Sequence, residues 1–152
     1  MSKDKIYFAG SIRGGREDVD LYHELIRNLQ NYGEVLTEHI GNREISIQGE
    51  DGISDSFIHN RDLGWLTKAN RIVAEVTTAS LGVGYELGRI VERNLWIPSN
   101  DKKLILCLYR PNVNKRLSAM IKCSEGILSE EYKTLNDAKN IIDEFMKNGK
   151  RD

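Results

Sequence analysis

The sequence predicts an α/β domain: a doubly wound, Rossmann- or flavodoxin-like three-layer sandwich with a central parallel five-stranded sheet. Two observations predict it. Short apolar runs alternate along the chain with helical patterns, and the runs read as strands buried between two helical layers. Small-residue turns follow the first and third of these runs, at the sheet edge where such folds bind ligands. The 152 residues suit a single domain over residues 1–152 with a sizeable core.

The elements follow in order. Ile6-Tyr7-Phe8-Ala9 is a strand that stops at Gly10. A helix over residues 17–31 carries Tyr22, Leu25, Ile26 and Leu29 on one stripe, with Gly33 as its C-cap. Val35-Leu36-Thr37 reads as the second strand, and residues 40–53 form a polar, Gly-rich loop long enough to act as a lid. A helix from Ser54 or Asp55 to Lys68 precedes a third strand over residues 72–76, and the helix that carries Glu86 follows. Residues 94–103 read as an exposed loop, Leu104–Tyr109 as the fourth strand, and residues 125–132 as the place of a short fifth. In the last helix, residues 135–147, Ala138, Ile141, Ile142 and Phe145 face inward, and Thr134-x-x-Asp137 forms a capping box with a shortened acid.

Composition excludes several classes. The 22 Lys and Arg against 23 Asp and Glu give a net charge of −1, so nothing in bulk electrostatics favours a nucleic-acid polymer or a membrane surface. No apolar run approaches the roughly 20 residues of a membrane span. Cys107 and Cys123 lack metal spacing, and Cys107 reads as a core thiol. The three histidines make no metal set; His23 reads as solvated, His59 as structural, and His39 lies where it could line the crevice. The expectation is a chain without metal or cofactor in a reducing intracellular compartment, cytoplasm or nucleus.

Two turns and two acids carry the chemistry. Gly10-Ser11-Ile12-Arg13-Gly14-Gly15-Arg16 follows the first strand; its glycines let N–H groups converge on an anion, Ser11 adds a hydroxyl, and Arg13 and Arg16 add charge. It is neither a P-loop nor a dinucleotide fingerprint. Ser80-Leu81-Gly82-Val83-Gly84 repeats the theme after the third strand, with Ser80 as N-cap. Glu86 falls on or beside the inward stripe Val83, Leu87, Ile90, Val91, and Asp62 fills the gap in the stripe Ile58, Trp65, Leu66, Ala69. Acids on apolar faces are held by partners or used in chemistry; the plainer alternative is a rim position paired with Arg61, Arg71 or Arg89. The helix dipole favours an ionised Glu86 and Trp65 a protonatable Asp62, a division of labour that glycosidic cleavage uses. Tyr7, near the end of the first strand, is placed to orient Glu86.

These residues resemble a known family. Residues 6–17, Leu36-Thr37-Glu38-His39, Asp62-Leu63-x-Trp65-Leu66, Val73-Ala74-Glu75-Val76-Thr77, residues 80–89 and Leu117-Ser118-Ala119-Met120-Ile121 are similar, in order, to the 2′-deoxynucleoside 5′-monophosphate N-glycosidases of the nucleoside 2-deoxyribosyltransferase superfamily. The resemblance covers about residues 5–145. It implies hydrolysis of the base–deoxyribose bond of a deoxynucleotide, with Glu86 as nucleophile, Asp62 as acid/base and Tyr7 orienting Glu86. Gly10, Ser11, Ile12, Gly14, Gly15, Ser80 and Gly82 would surround the nucleotide and its phosphate, with Arg13, Arg16 and His39 towards the base or phosphate. Ser118, flanked by Ala119 and Met120, would reach the neighbouring subunit's site, implying a homodimer. A deoxyribosyltransferase, a ribonucleotide N-glycosidase of the cytidine monophosphate type and a non-catalytic nucleotide sensor are the alternatives.

Overall fold

The computed structural model describes residues 4–12, 18–37, 52–112 and 116–148. The described strands are β1 (Asp4–Ala9), β2 (Gly33–Val35), β3 (Arg71–Glu75), β4 (Leu104–Tyr109) and β5 (Leu128–Glu131), in one parallel sheet of order β2-β1-β3-β4-β5. The helices are α1 (Val19–Leu29), α2 (Asp55–Lys68), α3 (Leu81–Asn94), α4 (Ala119–Lys122) and α5 (Leu135–Asn148). The strand order reverses at β1, which places the topological switch between β1 and β3.

Side-chain alternation divides the core into two layers. Ile6, Phe8, Val73, Leu106 and Leu108 pack with α1 and α5 residues such as Tyr22, Leu25 and Ile142. Tyr7, Ala9, Ile72, Ala74, Ile105 and Cys107 face the other way, among Leu66 of α2 and Val83, Leu87 and Ile90 of α3. Tyr7 therefore shares its face with the two helices that carry Asp62 and Glu86. Cys107 is the expected core thiol, and burial pushes it up to about 12.

Caps set the helix boundaries. Ser54 accepts from Phe57 N–H at the start of α2 and Ser80 from Val83 N–H at the start of α3. Thr134 Oγ1 accepts from Asp137 N–H at 3.1 Å while Asp137 Oδ2 accepts from Thr134 N–H at 3.0 Å, closing the short capping box.

Three details differ from the sequence expectation. β2 ends at Val35, because the Thr37 hydroxyl takes over the edge of β1, accepting from Phe8 N–H and donating to Phe8 C=O. Gly33 is not a C-cap; it opens β2, where a Cβ would lie 2.3 Å from the Asp4 carbonyl oxygen. Residues 94–103 are not simply an exposed loop. Trp96 is exposed, but Asn94 and Lys103 are buried, and the Asn94 amide pairs with both backbone groups of Lys103 at 2.8 and 3.0 Å. Lys103 Nζ donates to the carbonyls of Thr67, at 2.7 Å, and Ala69, so a cation closes the carboxyl end of α2 and ties it to the end of α3.

Candidate active site

A cavity of about 1320 Å³ opens at the carboxyl edge of the sheet, over β1, β3 and the amino ends of α2 and α3. This exceeds the roughly 300–1,000 Å³ of common small-molecule pockets, so a nucleotide fits with room to spare. Tyr7, Asp62, Ser80, Gly82 and Glu86 all line it, so residues far apart in sequence meet here.

The central contact joins β1 to α3. Tyr7, 3% exposed, sets its hydroxyl beside the Glu86 carboxylate, where hydrogen bonding favours the ionised acid. Glu86 Oε2 is buried without a hydrogen-bond partner among the described residues. Burial pushes the Glu86 carboxyl up to about 7, against the Tyr7 hydrogen bond, which favours the ionised form; the negative charge of Asp62 raises it further. Tyr7 is itself raised, by burial and then by the charges of Glu86 and Asp62, and stays a donor. The dipole-based expectation for Glu86 is thus corrected: desolvation outweighs its place in the second turn of α3.

Asp62 sits in a different setting. Arg61 Nε and Nη2 both lie 3.0 Å from Asp62 Oδ1. The Arg61 guanidinium lies 4.7 Å from the Trp65 ring and 5.9 Å from that of Phe57, one turn to either side. Trp65 therefore stacks on Arg61, and the pairing foreseen as the plainer alternative does occur at Asp62. Among the described residues no such pair forms at Glu86: Arg89 donates to Tyr85 Oη at 2.9 Å and Arg71 lies by Asp4 and Phe145.

The α3 entrance is built for an anion. Ser80 Oγ caps Val83 N–H and Ser80 C=O takes Gly84 N–H, while the N–H groups of Leu81 and Gly82 precede any intrahelical acceptor. No acid occupies the first turn, and a Cβ on Gly82 would meet nothing nearer than Ser80 Oγ at 3.9 Å, leaving space for a ligand. On β1's side, Gly10 lets the Tyr22 ring approach, and Tyr22 Oη accepts from Ser11 N–H at 3.1 Å. Ser11 is wholly buried with its hydroxyl unpaired among the described residues, between the cavity residues Gly10 and Ile12. Ser118 and Met120 line the rim of this chain's own cavity; Ala119 is exposed beside them. Arg13, Gly14, Gly15, Arg16, His39 and the 40–51 part of the expected lid lie outside the described residues.

The sequence reading missed Asp55, Ile58 and His59, which line the cavity from α2. Their signal was available: with Asp62 they recur at helical spacing on one face. His59, expected to be structural, is exposed, with its ring 6.2 Å from that of Tyr85. Thr78 was also missed; it lines the cavity with its hydroxyl buried and unpaired among the described residues.

The nucleoside 2-deoxyribosyltransferase family model matches residues 6–130, most of the chain and every residue that lines the cavity. The chain belongs to the nucleoside 2-deoxyribosyltransferase family. Within it, the chain is 54% identical over 147 residues to a putative 2′-deoxynucleoside 5′-phosphate N-hydrolase 1 of Nematostella vectensis, covering 93% of each. It is 45% identical over 150 residues to a 5-hydroxymethyl-dUMP N-hydrolase of Tetraodon nigroviridis, covering 96% of this chain and 99% of that one. A solved CMP N-glycosidase of Clostridium botulinum shares the fold of this deoxyribosyltransferase-family chain, with a TM-score of 0.62 at 14% identity over 91% of this chain and 98% of the other.

Proposed function

We propose that this chain hydrolyses the N-glycosidic bond of 2′-deoxynucleoside 5′-monophosphates, releasing a free base and 2-deoxyribose 5-phosphate. The Tyr7–Glu86 pair carries this reading: Tyr7 favours the ionised acid, and Oε2 is unpartnered among the described residues beside a cavity that Asp62 also lines. Relatives named as N-hydrolases of 5-hydroxymethyl-dUMP and of 2′-deoxynucleoside 5′-phosphates support the substrate class.

The phosphate sits at the α3 entrance, held by the first N–H groups of the helix, Ser80 and Ser11, and this remote contact orients C1′ towards Glu86. Glu86 Oε2 attacks C1′ as the C1′–N bond breaks, and Asp62 gives its proton to the departing base. Asp62 then takes a proton from water, which attacks C1′ of the glycosyl ester, freeing the sugar phosphate and restoring Glu86. The reactive form has Glu86 ionised and the proton on Asp62; the Arg61 pair holds Asp62 in its ionised, proton-accepting form in the second half of the cycle. A 2-deoxyribosyl group lacks an electron-withdrawing 2′-hydroxyl, so its cationic transition state is easier to reach, and Tyr7 crowds the 2′ position.

The active form is a homodimer in which Ser118 serves the neighbouring subunit's phosphate. Leu81 is 97% exposed and Met120 82%, both at the mouth of the cavity, and apolar side chains so placed suit cover by a second subunit.

Chromatography of base release across a panel of monophosphates tests the reading. Deoxynucleoside monophosphates should be cleaved in preference to the matching nucleosides and ribonucleotides. Faster ribonucleotide cleavage would overturn it, and a new nucleotide formed on adding a free acceptor base would make the chain a transferase.

A further inference from the structure

We propose that Glu75 is a positioning residue that holds the turn between β3 and α3 in the shape the phosphate requires, a role that rests on the function proposed above. Glu75 ends β3 and is wholly buried. It lies on the α1 and α5 face with Val73, opposite Tyr7, so it acts on the site through the backbone rather than by touching the substrate.

What it grips is the turn itself. Glu75 Oε1 accepts from Thr77 N–H at 2.8 Å, and Oε2 accepts from the Thr77 hydroxyl at 2.8 Å and from the Tyr132 hydroxyl. The Thr77 hydroxyl in turn accepts from Arg110 N–H at 3.0 Å. The Arg110 side chain lies between two acids, with Nε 3.9 Å from Glu75 Oε2 and Nη2 bound to Asp18, the residue before α1. Residues just beyond β3, β4 and β5 and at the entrance of α1 are thus joined by one network, buried at Glu75 and half-buried at Arg110, along the ligand edge of the sheet.

Its position gives the network a functional consequence. Val76, Thr77 and Thr78 form the cavity wall, and Ser80 follows two residues later. Burying a carboxylate is costly, and a buried ion pair seldom adds net stability over apolar packing. Burial raises the Glu75 carboxyl, while Tyr132, Thr77 and Arg110 act to keep it ionised. The acid at this place secures the geometry of a turn whose N–H groups must meet a phosphate.

The test uses the full chain carrying Glu75→Gln or Tyr132→Phe. It measures kcat and KM for a deoxynucleoside monophosphate, the affinity for inorganic phosphate by calorimetry, and the melting temperature. KM and the phosphate dissociation constant should each rise about tenfold, with kcat within about twofold and its pH dependence unmoved. Lower melting temperatures with unchanged phosphate affinity would reduce Glu75 to a structural residue and overturn the proposal. Tyr132→Phe loses one hydroxyl only, so it carries the test if Glu75→Gln does not fold. Failure of the wild-type chain to release base would sink the functional reading alone, since phosphate affinity still decides the role of Glu75.

Discussion

The Tyr7 hydroxyl meets the Glu86 carboxylate across β1 and α3, and among the described residues Glu86 Oε2 is buried without a hydrogen-bond partner at the wall of the cavity. A carboxylate in that state is poorly solvated, a property that helps make a weak nucleophile effective. Most of the expected behaviour of this chain follows from that pair.

The first consequence is a pH profile. With the Glu86 carboxyl pushed up to about 7 and Asp62 paired with Arg61, the one proton the two acids share is lost through that region, so kcat/KM should fall as pH rises past it. Tyr7→Phe removes a hydrogen bond that favours the ionised form. Such a bond is worth roughly 1.5–3 kcal/mol, so the limb should move to higher pH by about one to two units. Rate measurements across pH 5 to 9 on both proteins check this.

Glu86 should also cost stability. Its folded value lies above the ordinary 4.5, so the contribution of the protonated form is fully present below pH 4.5 and is lost as pH rises towards 7. At about 1.36 kcal/mol per unit the loss is about 3 kcal/mol. Glu86→Gln removes it while keeping an acceptor for Tyr7. Melting curves should show the variant several degrees more stable at pH 8 and equal to wild type near pH 4.

Lys103 should prove structural. The residue is 7% exposed, and its ammonium closes the carboxyl end of α2. Lys103→Met leaves the Thr67 and Ala69 carbonyls without that donor and should cost about 2–3 kcal/mol. Urea denaturation should show a lower midpoint at an unchanged slope.

The shared site can be tested by mixing. Glu86→Gln and Ser118→Ala homodimers should each be impaired. If Ser118 serves the neighbouring site, exchange of subunits yields heterodimers with one intact site, and activity in an equal mixture returns towards about a quarter of wild type. Ser118 also lines its own chain's cavity, and if it acts there, mixing restores nothing.

Much of this was legible in the sequence, for identifiable reasons. α3 and α5 declared themselves by an amphipathic period and a local cap, and β4 by an unbroken apolar run; all three signals are local. The meeting of Tyr7 with Glu86 was inferable because strand alternation and helix periodicity place both on the same side of the sheet. What failed depended on distant parts of the chain. β2 was misplaced because a side chain, Thr37, substitutes for backbone at the edge of β1. The burial of Lys103 depends on carbonyls of α2 more than thirty residues earlier. The charge state of Glu86 was misjudged because its helix position is local, whereas its desolvation arises from the packing of β1 against α3. Asp55 and His59 were missed because the α2 stripe was read for apolar residues, although that face borders a cavity.

The central claim is that Glu86 attacks C1′, and base release by Glu86→Gln tests it most directly. Chromatography of product from a deoxynucleoside monophosphate, with calorimetry of nucleotide binding on the same preparation, should show base release abolished and binding retained. Base release at the wild-type rate in that variant would contradict the account.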